Sequence, residues 1–343
     1  MEYLVGNKQI FLDYLNNLGK KDRIGVISHA DLDGVASAVL INEILESKNM
    51  KIRDLKFVNY KKGMFKKPEE KFARKKINKI FVFDVGIDSD YGGFQELKSK
   101  FDVFYIDHHP SEIKGDNIIK TKTTDCATFS IYESAKKDFD LSKLEWLVCT
   151  AMVSDVSYKD KSNFEFLREH YPKIKLESIM DSEPGEMSKK ISSAIIYFNG
   201  QEEKVFRLIL KNKLSRLRKY QKVVDGEIKT LVEKFKKEAE FYPEKNLYIY
   251  QAHPKFSVTS VVTTILSYQE PEKTFVFISD IDGEKGFYKA SSRNQSGKED
   301  MNQLMKKGIE GMKNTTAGGH VPAAAARFMK KDLEKFKENL LGK

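Results

Sequence analysis

Apolar residues in the first third of the chain fall into short runs separated by amphipathic stretches. The runs at residues 23–28, 55–59, 79–84 and 102–106 have the length and the β-branched or aromatic content of strands. Between them, residues 34–46 and 89–98 repeat apolar positions with a helical period. Strands alternating with helices predict an α/β fold with a parallel, doubly wound sheet. Ligands of such sheets gather beyond the carboxyl ends of the strands, so the residues that close each run carry the most information.

Farther along, the pattern changes. Residues 125–199 read as mostly helical, and one long helix is expected over 202–240, with apolar positions such as Phe206, Leu210, Leu217, Val224 and Phe235 and a stop at Pro243. The middle of that helix is basic, from Lys211 to Lys222. Strand patterns return at 247–251, 274–279 and 287–291, interleaved with helices. These patterns predict a first domain over 1–200, a connecting helix over 201–243 and a smaller α/β domain over 244–343. A length of 343 residues is comfortable for two cores.

Charge and composition narrow the class. Sixty Lys and Arg against 50 Asp and Glu give a formal +10, which favours a polyanionic partner. No apolar run reaches bilayer-spanning length, and the first 20 residues lack an apolar segment followed by a cleavage site, so no membrane partner and a cytoplasmic location are expected. Cys126 and Cys149 lie in apolar helical patterns without zinc-ligand spacing and read as buried free thiols. The glycines within 280–286 read as a turn between strands, since the spacing does not match a calcium loop.

The chemistry sits at the strand ends. His29, Asp31 and Asp33 alternate after the first run, and extended backbone projects alternate side chains to one side. Asp84 ends the third run, and Asp107, His108 and His109 end the fourth. A lone Asp at a strand end is commonly the N-cap of the next helix, a role open to Asp84 or Asp155 taken singly. Together these groups read as one divalent-metal site of carboxylates and imidazoles. The lysines from Lys61 to Lys76 could follow a phosphate backbone with Phe65 and Phe72 stacking, or form a solvated helix face over a buried Phe72. His170 and His253 lack partners at recognisable spacing and are read as structural.

These motifs resemble the DHH phosphoesterase family over nearly the whole chain. The matching pieces are residues 28–34 for its first motif, Asp84 for the second, Asp107-His108-His109-Pro110 for the third and Ser154-Asp155 for the fourth. The second half resembles the family's associated substrate-binding domain through Arg293 with its neighbours and through Gly318, Gly319 and His320. The resemblance implies two divalent cations, manganese first and magnesium as substitute. One would be held by His29, Asp31 and Asp84, the other by Asp33, Asp84, His108 and Asp155. It further implies that Asp107 orients a ligand imidazole, that His109 contacts the scissile phosphate, and that Arg293, Gly318, Gly319 and His320 bind substrate. His29 precedes Asp31 by two positions, a spacing similar to the RecJ branch, which implies an exonuclease acting on single-stranded DNA or RNA and releasing 5′-mononucleotides. A phosphodiesterase of dinucleotides, cyclic dinucleotides or short oligoribonucleotides stays open, as does a non-catalytic partner of replication or repair proteins. Val156 after Asp155 departs from the family's usual fourth motif.

Overall fold

The computed structural model describes residues 1–281 and 283–342 and divides them into two compact units, Met1–Gln221 and from Lys222 onward. Asp282, inside the turn expected at 280–286, and Lys343 lie outside the described residues.

The first unit is a six-stranded sheet of β1 (Tyr3–Val5), β2 (Ile24–His29), β3 (Ile52–Val58), β4 (Lys79–Phe83), β5 (Asp102–Asp107) and β6 (Ile118–Thr121), in spatial order β1-β6-β5-β4-β2-β3. All neighbours run parallel except β1, which pairs antiparallel to β6. From β2 the chain crosses first to β3 and then to β4 on the other side, so the sheet is doubly wound with its switch point between β2 and β4. The short strands β1 and β6 were not legible in the apolar pattern.

Alternation along the strands divides the core into two layers. Val26, Phe81 and Phe104 face a layer shared with α1 (Lys8–Asn16), α2 (Leu32–Ser47), α5 (Ala127–Ala135) and α6 (Glu145–Ser154). Ile27, Val82 and Tyr105 face α3 (Lys66–Arg74) and α4 (Tyr91–Lys100). Phe65 and Phe72 are fully buried in this second layer, which removes the stacking role weighed for them. Helices α7 (Lys161–His170), α8 (Glu183–Tyr197) and α9 (Glu203–Leu210) complete the unit.

The helix expected over 202–240 is broken. Helix α9 ends where Asn212 turns left-handed (φ 48°), with Lys213 N donating to Leu208 O and Asn212 N to Ile209 O. That is a Schellman stop, and asparagine tolerates its geometry. A short 3-10 turn, Leu214–Arg216, precedes α10 (Leu217–Glu238). Val205, Phe206 and Ile209 of α9 are buried in the core of the first unit.

The second unit is a mixed sheet of β7 (Glu240–Tyr242), β8 (Leu247–Gln251), β9 (Thr274–Asp280), β10 (Phe287–Arg293), β11 (Thr316–His320) and β12 (Ala323–Met329), ordered β11-β12-β10-β9-β8-β7. Only β8 and β9 are parallel. Ala290, Ala324 and Phe328 pack with α12 (Met301–Gly308) and α13 (Leu333–Leu341), while α11 (Thr259–Gln269) reaches the other face through the Thr259–Ser291 hydroxyl pair at 3.1 Å. No helix among the described residues is long and apolar enough to cross a membrane.

The packing of the first unit can be tested at two places. A Cβ on Gly34 would lie 2.1 Å from the His29 carbonyl oxygen, whereas one on Gly92 in α4 meets nothing within 4 Å. Urea denaturation should therefore show Gly34→Ala destabilising by roughly 2–3 kcal/mol and Gly92→Ala neutral or stabilising by about 0.5 kcal/mol. Asp54 on β3 is buried among Lys56 (3.3 Å), Lys71 (3.4 Å) and Lys75 (3.1 Å), and Lys56 also binds Glu203 of α9. Burial alone would raise the Asp54 carboxyl, but the lysines outweigh it and hold it below the usual range. Its contribution to stability is thus present above the unfolded value near pH 4 and lost as pH falls through the lower folded value. Urea midpoints of the native chain and Asp54→Asn should differ at pH 7 and converge below about pH 3.

Candidate metal centre

The carboxyl ends of β2, β4 and β5 meet beside the switch point, and the turn after each strand aims its polar groups. The chain leaves β2 at His29 and enters α2 with Asp31 as N-cap, its carboxylate accepting from Gly34 N at 2.9 Å. Asp33, in the first turn of α2, is buried and accepts from Ala127 N (2.7 Å) and Thr128 N (2.9 Å) at the start of α5. Asp84 follows β4 in left-handed backbone (φ 56°), which aspartate tolerates better than most residues. Asp155 is the C-cap of α6 and Asp84 caps no helix, so the N-cap role weighed for both does not apply. After Asp155, Val156 is also left-handed (φ 60°), a strained state for a β-branched side chain.

These turns bring the donors into three overlapping groups whose ligand atoms lie within 4.8 Å of one another: His29, Asp31 and Asp84; Asp84, His108 and His109; and Asp33, His108 and Asp155. Asp84 and His108 each belong to two of them. His29 Nδ1 lies 2.9 Å from Asp31 and 3.6 Å from Asp84, and His108 Nε2 lies 3.3 Å from Asp84 and 3.4 Å from Asp155. Asp107 belongs to none of these groups. It accepts from His109 Nδ1 (2.8 Å) and from Lys120 Nζ (2.6 Å), and Lys120 also donates to the His109 carbonyl. The imidazole it orients is therefore that of His109, not that of His108.

Two members of the site escaped sequence reasoning. Tyr60, just past β3, stacks on His29 with ring centres 4.2 Å apart and sets its hydroxyl 2.8 Å from His109 Nε2. Its position two residues beyond a strand end was the available signal. Lys120 is a fully buried lysine on β6, legible as the one charge inside Ile118–Thr121.

The electrostatics are those of crowded carboxylates. Burial, then Asp31 and Asp33, raise the Asp84 carboxyl well above the usual range. Burial and Asp33 push Asp155 up to about 8. Burial opposes protonation of His29, yet Asp31 and Asp84 outweigh it and push the imidazole up to about 10. Asp31 is lifted by burial but pulled lower overall by His29 and the Gly34 amide. Asp84 Oδ2 and both ring nitrogens of His108 are buried without a hydrogen-bond partner among the described residues. Cys126 is buried nearby, where burial and Asp33 raise its thiol well above its ordinary value, and it belongs to none of the three donor groups. A hard oxygen and imidazole donor set with unpartnered buried atoms fits divalent manganese or magnesium.

The proposed substrate residues lie in the second unit. Arg293 at the end of β10 and His320 at the end of β11 both pair with Ala323 of β12, from opposite sides, so their side chains share one sheet face. Arg293 Nε is buried without a partner among the described residues, and burial lowers the guanidinium from its ordinary value. The Gly318-Gly319-His320 segment is an edge strand rather than a loop. Gly319 (φ 149°) is required there, because a Cβ would lie 2.4 Å from Ala323 O. The remaining histidines have local partners: His170 with Phe166 O and Glu145, His253 with Asp280.

Comparison with known proteins agrees with the motifs. Residues 23–162 match the DHH family, N-terminal domain, and the two-unit fold is similar to that of solved RecJ structures. An exonuclease RecJ bound to manganese superposes with a TM-score of 0.72 at 14% identity, covering 97% of this chain and 92% of that one. RecJ from Thermus thermophilus in complex with Mn2+ gives 0.74 at 14% identity, and the matched region spans 98% of this chain but 54% of that longer one. CDC45 from Entamoeba histolytica gives 0.58 at 12% identity over 98% and 99% of the two chains. No curated protein matches the sequence.

The crowding has a measurable signature. With Asp31, Asp33 and Asp84 together in one site, metal-free Asp84→Asn should melt at a higher temperature than the metal-free native chain at pH 8. Added Mn2+ should raise the melting temperature of the native chain and leave that of the variant nearly unchanged. Differential scanning calorimetry with and without chelator reads both.

Proposed function

We propose that this protein is a two-cation phosphodiesterase that hydrolyses single-stranded nucleic acid from an end and releases mononucleotides carrying a 5′-phosphate. The observation that carries the reading is the overlap of the three donor groups through Asp84 and His108, with buried atoms left unpartnered. His29, Asp31 and Asp84 would hold one cation, and Asp33, Asp84, His108 and Asp155 the other. Such a pair of cations supplies an activated water and neutralises charge on the phosphoryl oxygens.

The chain's own groups do the rest. Asp107 and Lys120 fix the His109 segment and Tyr60 meets the ring's other nitrogen, so the imidazole is held without rotating, and its Nε2 would reach a phosphate oxygen in exchange for the Tyr60 hydroxyl. The Asp33 carboxylate is aimed by the two amides of α5. Arg293, His320 and the Gly318-Gly319 backbone would hold a further phosphate of the strand, the guanidinium as a forked donor. Manganese is favoured because the RecJ relatives of the same fold were solved with it, and one with magnesium.

The test is an end-labelled time course with Mn2+ on DNA and RNA strands of two and twenty nucleotides. Stepwise shortening of the long strand is expected, slowed by at least about 10²–10³-fold in Asp84→Ala. Cleavage confined to the dinucleotide would replace this reading with a small-substrate phosphodiesterase, and no cleavage of either would remove the enzyme reading.

A further inference from the structure

Another charged feature of the first unit lies where α8, α9 and the start of α10 meet. A cavity of about 270 Å³ is lined there by Lys204, Arg207, Lys211, Lys213 and Arg216, with the rings of Phe198 and Tyr220 in its wall. None of these residues belongs to the metal centre. Arg207 has a carboxylate neighbour, Glu203 at 3.4 Å; among the described residues Lys204, Lys211, Lys213 and Arg216 have none. The contrast with Asp54 is informative, since three lysines there converge on one buried carboxylate and neutralise it. At this corner five cations converge with one acid among them.

The local fold explains the convergence. The Schellman stop at Asn212 and the 3-10 turn after it double the chain back, so cations from α9 and from the turn line one cavity instead of spiralling around a single long helix. Phe198 and Tyr220 pack with ring centres 4.6 Å apart, and Lys204 and Lys219 stand 5.1 Å and 4.7 Å from those rings. Unpaired cations flanking half-buried aromatic rings form a surface that suits a phosphodiester backbone with a base against the ring. An acidic peptide would use the cations but not the rings.

We propose that this corner is a second contact site for single-stranded nucleic acid, holding phosphates on Lys204, Lys211, Lys213 and Arg216 and a base against Tyr220. It extends the substrate class of the proposed function to a strand long enough to reach beyond the metal centre, and in that respect rests on it. Binding to the corner, however, needs no hydrolysis.

The experiment uses the full chain in chelator, so that no turnover occurs, and fluorescence anisotropy of labelled oligothymidylates of four and twenty nucleotides across 50–200 mM salt. The exposed pair Lys211→Gln with Arg216→Gln should weaken the twenty-mer on the order of 10-fold and lower its salt slope by about 1.4, two single-strand contacts' worth. Tyr220→Leu, which keeps the packing on Phe198, should weaken the twenty-mer several-fold and leave inorganic polyphosphate binding unchanged. With Mn2+ restored, dinucleotide turnover by the charge variant should match that of the native chain. Unchanged twenty-mer affinity and slope in the charge variant would overturn the site, as would a native chain that does not bind the twenty-mer. Loss of polyphosphate and polyglutamate binding in parallel, with no effect of Tyr220→Leu, would reassign the corner to acidic polymers such as a protein segment. If the native chain cleaves no nucleic acid but the anisotropy results hold, the hydrolytic reading falls and the corner site stands.

Discussion

Four carboxylates crowd one end of a sheet, and most of the first unit can be understood as the apparatus that keeps them there. Asp31, Asp33, Asp84 and Asp155 are set by the turns around three elements of the fold, and each is restrained by something other than its neighbours in the array. Gly34 N holds Asp31 and the α5 amides hold Asp33. Left-handed backbone sets Asp84 in place, and the end of α6 carries Asp155. Left to themselves such groups would separate or take up protons. The imidazoles of His29 and His108 offset part of the repulsion, and a divalent cation is the natural remainder.

The second circle of residues makes that arrangement rigid. Lys120 is charged and buried, a costly state unless its partner is aimed well, and Asp107 meets it at 2.6 Å. Through Asp107 that same pair fixes His109, and through His109 it reaches Tyr60 and the His29 stack. A chain of contacts thus runs from β6 across β5 to β2, three strands of one sheet.

Much of this is legible in the amino-acid sequence. Strands β2, β3, β4 and β5 announced themselves by apolar runs, and most of the donors by their places at the ends of those runs. What escaped had a physical reason in each case. Strands β1 and β6 are three and four residues long, too short for a periodic signal. Tyr60 lies in a turn, where pattern says little about direction. Helix α9 ends inside a continuous helical pattern because a single asparagine in left-handed backbone outweighs the apolar repeat around it. The lysine-rich stretch after Gly63 read as a candidate track for phosphates until burial of Phe65 and Phe72, and capture of Lys71 and Lys75 by Asp54, gave it a structural role.

The contact of Gly34 with the His29 carbonyl has an evolutionary consequence. Strand β2 and helix α2 touch backbone to backbone there, so the segment between them has one workable length. Insertions and deletions are closed to it, and variation can act only through the identity of its side chains.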